Sequence, residues 1–268
     1  MSTNVWKENL YSGRVVAVSG AASGIGAAVS IGFLRAGAAV VGGDVNDIAL
    51  NRFVEQLPAT LRERFVPLVL DVSRTESADA FVAAVHERFG RMDVLINNAG
   101  IAPVGSVTET SNELWRRVMS VDVDGVFFLA RAALPYLIAA RGSIVNTASV
   151  SGIGADFNYA AYNAAKGAIV NLTRSMAIDY GKSSVRVNAI APGPVRTPLL
   201  EDNFRAIPGL DDAFSTFIPL GRIAEPGEIA DAVLFLASPA ASFITGAILP
   251  IDGGVTAWNG QPNGDFVS

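Results

Sequence analysis

The sequence predicts an α/β fold in which one doubly wound parallel sheet carries helices on both faces. Short apolar runs alternate with longer segments of helical pattern along the chain of 268 residues, as is typical of such sheets. The runs are continuously apolar, as expected of strands that are covered on both faces. No linker-like, low-complexity or repeated segment interrupts them, so we expect a single domain over residues 1–268.

The individual elements follow from these patterns in chain order. The predicted strands are 15–19, 39–43, 67–70, 94–96, 144–147, 185–190 and 247–251. The predicted helices are 25–35, 48–56, 76–89, 112–136, 159–180 and 226–237. Gly37, Gly90 and Gly181 stand where three of these helices end, and Pro226 stands where the last one begins.

Composition argues against several classes of function. The net charge is −5, so we expect no binding to nucleic acid or to anionic membranes. The absence of cysteine rules out disulfides and fits a reducing cytoplasm, and with a single histidine we expect no metal site. Residues 15–34 are uncharged and long enough to span a bilayer, but four glycines interrupt them. We interpret them as a buried strand, a turn and a buried helix.

Two segments break the alternation of strands and helices. Residues 198–219 contain three prolines, and a long connection late in a compact domain is often a lid over a site. We therefore expect about 198–219 to be a substrate loop. The polar tail, about 255–268, is expected either to fray or to pack on a neighbouring subunit.

A glycine-rich turn joins the first predicted strand to the first predicted helix. Its residues include Gly20, Ser23, Gly24, Ile25 and Gly26. A helix N-terminus favours a pyrophosphate because its free N–H groups and its dipole attract negative charge, and glycine lets the backbone approach the phosphates. The pattern predicts a dinucleotide site of Rossmann type, and the alternative is a tight turn with no ligand.

Asp44 ends the second predicted strand, about 20 residues beyond the glycines. A carboxylate at this place binds the adenosine ribose hydroxyls and repels a 2′-phosphate. No Lys or Arg stands among Ala21, Ala22, Val45 or Asn46 to receive such a phosphate. The position therefore predicts NAD as the cofactor, and the alternative is that Asp44 only caps the following helix.

Tyr162 and Lys166 are four residues apart in a strongly helical segment. This spacing puts both side chains on one helix face, where they can share a ligand. Chance gives few such pairs in a chain with five tyrosines, so the spacing favours an acid–base site. The alternative is a surface tyrosine beside an exposed lysine.

Further motifs stand at regular intervals around this pair. They are Asn97-Asn98-Ala99-Gly100 after the fourth predicted strand, Ser149 at 13 positions before Tyr162, and Pro192-Gly193 followed by Thr197. Together with the glycine turn and the Tyr–Lys pair, they resemble the motifs of the short-chain dehydrogenases/reductases, from about Gly13 to Gly254. The resemblance implies an oxidoreductase that moves a hydride between nicotinamide and a secondary alcohol or its ketone.

The resemblance also implies a role for each matching residue. Tyr162 is the acid–base, Lys166 favours its phenolate and holds the nicotinamide ribose, and Ser149 donates to the substrate oxygen. Asp71 and Val72 flank the adenine, and Asn98 meets the adenosine-side ribose through its backbone. The full set implied in cofactor binding is Gly20, Ser23, Gly24, Ile25, Gly26, Asp44, Asp71, Val72, Asn98, Ala99, Gly100, Tyr162, Lys166, Pro192, Gly193, Val195 and Thr197, of which Val195 and Thr197 meet the carboxamide.

One position departs from the family. Asp122 stands where the family commonly has an asparagine, in the long helix predicted over 112–136. The main-chain carbonyl of Asp122 can hold the water of a proton relay equally well, because aspartate and asparagine have the same main chain. Its carboxylate is expected either to lie near Lys166 and favour the charged form of that lysine, or to point away and only shape the helix.

Only the resemblance narrows the range of candidate substrates. The segments around Ser149 and Lys166 are similar to those of acetoin reductases and meso-2,3-butanediol dehydrogenases, which implies a small secondary alcohol, such as a vicinal diol, or its ketone. Cyclic or aromatic secondary alcohols or diols are the alternative. Asp44 disfavours a fatty-acid-synthesis ketoreductase, and the presence of Ser149, Tyr162 and Lys166 disfavours a non-catalytic nucleotide-binding relative. A homotetramer is implied, and the residues expected beside the substrate are Ser151, Ile153, Phe157 and Tyr159.

Overall fold

The computed structural model describes residues 9–198, 200–201 and 209–258. They contain a seven-stranded parallel sheet in the order β3-β2-β1-β4-β5-β6-β7. The strands are β1 Val15–Ser19, β2 Ala39–Asp44, β3 Phe65–Val69, β4 Val94–Asn97, β5 Ser143–Thr147, β6 Arg186–Pro192 and β7 Ile248–Ile251. Each predicted strand is present within two residues at either end. The predicted doubly wound sheet of Rossmann type is confirmed.

Helices occupy most of the connections between strands. They are α1 Gly24–Arg35, α2 Asp47–Gln56, α3 Ala59–Arg62, α4 Thr75–Phe89, α5 Asn112–Val118, α6 Gly125–Ala140, α7 Val150–Ile153, α8 Ala160–Tyr180, α9 Leu210–Phe217 and α10 Pro226–Ala237. The helices α3, α7 and α9 are additions to the prediction, because elements this short show little apolar periodicity.

Two apolar cores lie on opposite faces of the sheet. Val16 and Val18 of β1 face one core together with α1 and α10, whereas Val15 and Ala17 face the other together with α4, α6 and α8. All five residues of β1 are therefore buried. This double coverage explains why the strands read as continuous apolar runs, and it leaves the ends of the sheet as the places for a site.

The longest predicted helix, 112–136, is interrupted in the structure, which corrects that prediction. After α5, Met119–Asp124 form a π-helical turn, and α6 continues to Ala140. The apolar pattern passes through the turn without a break, so the sequence does not reveal it. Turns of this kind occur mostly as single insertions and often at functional sites.

Two stretches are long and apolar enough to suggest a membrane span. Residues 15–34 form β1, the glycine turn and most of α1, as predicted. Asn112–Ala140 also meets the length and composition of a span. In the structure, however, α6 packs on α4 and buries Leu129, Ala133 and Leu137 in a core. Neither stretch therefore argues for a membrane.

The predicted substrate loop, about 198–219, contains α9. Residues 199 and 202–208 of this loop lie outside the described residues, as does the part 259–268 of the polar tail. No residue of α9 is buried, although one side of the helix is aromatic. The loop therefore carries a short amphipathic helix on the outside of the molecule.

Candidate active site

Two adjoining cavities open at the carboxyl edge of the sheet, where α/β proteins bind their ligands. The first cavity has a volume of about 580 Å³ and lies at the reversal of the strand order, beyond β1, β2 and β4. The second has a volume of about 490 Å³ and lies beyond β5 and β6. Ile25, Ala102, Thr147, Tyr162 and Thr197 line both cavities. The two cavities therefore meet at Tyr162.

Most residues predicted to bind the cofactor line the first cavity. They are Gly20, Ser23, Gly24, Ile25, Asp44, Asp71, Val72, Asn98, Ala99, Gly100, Tyr162, Lys166 and Thr197. Pro192, Gly193 and Val195 line the second cavity instead. Gly26 lines neither cavity, because it faces the turn itself, where a Cβ would collide with the carbonyl oxygen of Gly20. Its position lets α1 pack closely on the turn.

The turn between β1 and α1 leaves backbone groups open to the first cavity. Gly20 has φ +67°, and a side chain there would approach Ala99 Cα to 2.9 Å. Asn98 Nδ2 holds the turn by donating to the carbonyl oxygens of Ser19 and Gly20, each at 3.2 Å. Ser23 makes no capping hydrogen bond to α1, so the first N–H groups of this helix keep their capacity to bind an anion.

Asp44 ends β2 at the wall of the first cavity. Its Oδ2 accepts from the N–H of Ala22 at 3.1 Å, and its Oδ1 accepts from the N–H of Asn46 at 3.0 Å. The N-cap of α2 is Asn46, whose side chain accepts from the N–H of Ala49. The alternative that Asp44 caps this helix is therefore wrong. Each carboxylate oxygen keeps a lone pair for a further donor.

Lys166 is a buried cation on α8, one turn after Tyr162. Its Nζ donates to the carbonyl oxygen of Thr147 at 3.0 Å, lies 3.1 Å from Asp122 Oδ2, and lies 5.4 Å from the centre of the Tyr162 ring. Burial lowers the pKa of Lys166, but the negative charges of Asp122 and of ionised Tyr162 outweigh burial and raise this pKa overall. The lysine is therefore held as an ammonium.

Asp122 lies in the π-helical turn and is 1% exposed. Its Oδ1 accepts from the N–H of Ile101 at 2.9 Å. Its Oδ2 faces Lys166 as an ion pair that lacks the direction of a hydrogen bond. Gly100 leaves room for this carboxylate, since a Cβ there would lie 2.8 Å from Oδ2. Of the two expected orientations, the structure has the one beside Lys166.

Ser149 begins a chain of hydrogen bonds at the end of β5. Its Oγ accepts from the N–H of Ser151 at 3.1 Å and donates to Ser151 Oγ at 3.0 Å. Ser151 in turn donates to Asp156 Oδ2 in a short hydrogen bond. All three residues line the second cavity. Asp156 is not predicted by the sequence, where its only signal is a charge in the otherwise uncharged segment between Ser149 and Tyr162.

Of the other residues predicted beside the substrate, two line the second cavity and one does not. Phe157 and Tyr159 line the second cavity, the former at its rim with 96% exposure. Ile153 lies outside the lining, because α7 ends there and the side chain is open to solvent. The rings of Tyr159 and Tyr162 pack edge to face at 6.0 Å. Burial, followed by the charge of Asp156, raises the pKa of Tyr159, which keeps it a neutral phenol.

Known proteins resemble the chain over most of its length. The family model described as enoyl-(acyl carrier protein) reductase matches residues 20–256. Meso-2,3-butanediol dehydrogenase of Serratia marcescens is 46% identical over 94% of this chain and 98% of its own. Trans-4-hydroxycyclohexanecarboxylate dehydrogenase of Sinomonas cyclohexanicum is 43% identical over 92% of this chain and 94% of its own.

A solved structure agrees with these relatives. It is a short-chain dehydrogenase/reductase from Brucella melitensis, described as glucose/ribitol dehydrogenase. It superposes with a TM-score of 0.86 at 35% identity, and the match covers 92% of this chain and 98% of that one. The predicted resemblance to dehydrogenases of the 2,3-butanediol type is confirmed. The chain therefore belongs to the short-chain dehydrogenase/reductase family and is an oxidoreductase.

Proposed function

We propose that the protein is an NAD(H)-dependent dehydrogenase that interconverts a secondary alcohol, in particular a vicinal diol such as 2,3-butanediol, and its ketone. The observation that carries the proposal is the place of Tyr162 at the meeting point of the two cavities, with the Lys166 ammonium 5.4 Å from its ring. The similarity to meso-2,3-butanediol dehydrogenase supports the diol.

The first cavity suits NAD in the chemistry of its lining residues. The N–H groups at the start of α1 fit a pyrophosphate, and the free lone pairs of Asp44 fit the hydroxyls of the adenosine ribose. Val45, the neighbour of Asp44 in the cavity wall, has no charge that would hold a 2′-phosphate. Asp71 and Val72 would flank the adenine, and Lys166 would hold the nicotinamide ribose.

Three side chains would then carry out the proton chemistry. In alcohol oxidation Tyr162, as phenolate, takes the hydroxyl proton, while the bound nicotinamide supplies the acceptor for the hydride of the carbinol carbon. The Lys166 ammonium favours the phenolate by its charge. Ser149 stabilises the substrate oxygen by donating a hydrogen bond to it. To do so, the Ser149 hydroxyl must turn away from Ser151 and towards the substrate. Ketone reduction reverses each transfer.

A cyclic or aromatic secondary alcohol is the second candidate substrate. Phe157, Phe214 and Phe217 line the second cavity, so a ring would find apolar contacts there. The similarity to trans-4-hydroxycyclohexanecarboxylate dehydrogenase supports this candidate.

We further propose a homotetramer, on the family resemblance, and a cytoplasmic location, which the absence of cysteine supports.

Tyr162→Phe tests the assignment of the acid–base. The variant should still bind NADH, as measured by quenching of protein fluorescence, because most cofactor contacts remain. Its kcat for 2,3-butanediol should fall more than tenfold, because the phenolic proton has gone. The same assay with both cofactors should give the wild type a higher kcat/KM for NADH than for NADPH. A variant that keeps more than about a tenth of kcat contradicts the role of Tyr162, and equal kcat/KM values contradict the role of Asp44.

A further inference from the structure

Asp156 gives the second cavity its charge. Among the described residues that line this cavity, Asp156 is the only one with a charged side chain, and the others are mainly apolar. Lys166 does not offset it, because its ammonium lies in the wall of the first cavity and is paired with Asp122. A substrate in the second cavity therefore meets the negative charge of Asp156 in addition to the acid–base Tyr162.

The hydrogen-bond chain places this charge two hydrogen bonds away from Ser149. Ser151 Oγ lies between Ser149 Oγ and Asp156 Oδ2 and is hydrogen-bonded to both. Ser149 is the residue that we propose to touch the reacting oxygen. Two oxygens on adjacent carbons lie about one hydrogen-bond length apart. A vicinal substrate can thus run beside the chain, with its reacting oxygen at Ser149 and its second polar group near Asp156.

Asp156 has capacity left for such a group. Its Oδ2 accepts from Ser151, while its Oδ1 has no hydrogen-bond partner among the described residues. Its main chain is held by Asn163, whose side chain accepts from the Asp156 N–H at 3.2 Å and donates to the Asp156 carbonyl at 2.9 Å. Asn163 lies on α8, one residue after Tyr162, so the main chain of Asp156 is held beside the acid–base.

We propose that Asp156 determines the substrate class by accepting a hydrogen bond from a hydroxyl or an ammonium group on the carbon next to the reacting carbinol. This inference rests on the proposed dehydrogenase function and extends it from vicinal diols to vicinal amino alcohols. A carboxylate at the same place is repelled, which disfavours hydroxy acids as substrates. Hydrogen bonds to charged groups are the stronger ones, so the ammonium gains most from Asp156.

Oxidation of a vicinal amino alcohol transfers the same hydride and the same proton as oxidation of the diol. The carbinol carbon loses a hydride to the nicotinamide, and the carbinol oxygen loses its proton to Tyr162. The product is an α-amino ketone, and the ammonium group is not changed in the step. Asp156 is exposed to solvent, so water weakens the Coulomb attraction, and we expect its effect to be about tenfold rather than many orders of magnitude.

A series of four-carbon alcohols tests the inference on the full chain. Initial rates with NAD are measured at neutral pH, where the amine is protonated, for 2-butanol, 2,3-butanediol, 3-amino-2-butanol and 3-hydroxybutanoate. Asp156→Asn removes the charge but keeps an oxygen that can accept from Ser151. Asp179→Asn is the control, because Asp179 is an exposed acid near the end of α8 that lines neither cavity.

The expected result is a change in selectivity rather than in general activity. Relative to 2-butanol, Asp156→Asn should lower kcat/KM for 3-amino-2-butanol about tenfold, raise it for 3-hydroxybutanoate, and alter it less for the diol. Asp179→Asn should leave these ratios unchanged. Equal effects of Asp156→Asn on all four alcohols, or no oxidation of the amino alcohol by the wild type, overturn the inference. A wild type that oxidises neither 2-butanol nor the diol instead overturns the proposed function itself.

Discussion

Lys166 and Asp122 form a buried ion pair beside the proposed acid–base. Removing two charges from water costs free energy that their mutual attraction only partly offsets, and removing one partner leaves the other buried without compensation. Here the Lys166 ammonium also donates to the Thr147 carbonyl, and Asp122 also accepts from the Ile101 N–H, which reduces the cost of burial. The pair therefore keeps Lys166 charged where the mechanism needs a cation.

Asp122→Asn tests whether the carboxylate or the main-chain carbonyl matters. If the carbonyl serves a water-linked relay, kcat at neutral pH should stay within about tenfold of the wild type, which corresponds to about 1.4 kcal/mol in activation free energy. Because the Asp122 charge raises the pKa of Lys166, its removal lets burial lower that pKa. The alkaline fall of the pH–rate profile should therefore move to lower pH. A loss of a hundredfold or more in kcat, with NADH binding intact, would instead show dependence on the carboxylate.

Residues whose role follows from local spacing were the predictable part of the site. Tyr162 and Lys166 share a helix face, and Asp44 follows the glycines at the distance that one helix and one strand require. Asp156 could not be predicted in this way. Its significance depends on Ser151 turning towards it after β5, and the sequence has no periodic signal for that turn.

The substrate loop contributes side chains to the second cavity through a helix that stays outside the cores. No residue of α9 is buried, yet Phe214 and Phe217 line the second cavity together with Leu200. Elements with few buried contacts open at low free-energy cost, as lids must. α9 is therefore suited to close on a bound substrate through its aromatic side.

We expect NAD and a substrate together to protect α9. Hydrogen exchange of Leu210–Phe217 should slow when NADH and acetoin are added, because closure would bury the aromatic side and stabilise the helix. Pro226–Ala237, which already packs on α1, is the internal control and should exchange at an unchanged rate. Unchanged exchange of α9 on ligand binding would mean that the loop is only a surface excursion.

The strands and long helices could be predicted because each presents a continuous or periodic apolar pattern to one of the two cores. The π-helical turn could not, because Met119–Asp124 keep the apolar pattern of the helices on either side. What distinguishes this turn is where Asp122 points, and that depends on Lys166, which comes later in the chain. Long-range pairing of this kind is visible only in the fold.

At the scale of the whole molecule, two neighbouring helices leave apolar side chains outside. α6 and α8 both cover the same face of the sheet, and their inner sides fill one core. On their outer sides Phe127 and Ile138 of α6 are 46% and 38% exposed, and Ile178 of α8 is 80% exposed. Exposed apolar groups on adjacent elements commonly mark an interface, which agrees with the proposed homotetramer.

The mass in solution tests this assembly. Light scattering should give four chains of 27.9 kDa for the wild type, and pairing across α6 and α8 would remove these side chains from water. Ile178→Lys places a charge in the proposed interface and should shift the population towards smaller species on dilution, with the fold retained by circular dichroism. Ile48→Lys is the matched control, since Ile48 is 75% exposed on α2, which packs on the opposite core. A monomeric wild type would refute the tetramer, and equal masses for the wild type and both variants would place the interface elsewhere on the molecule.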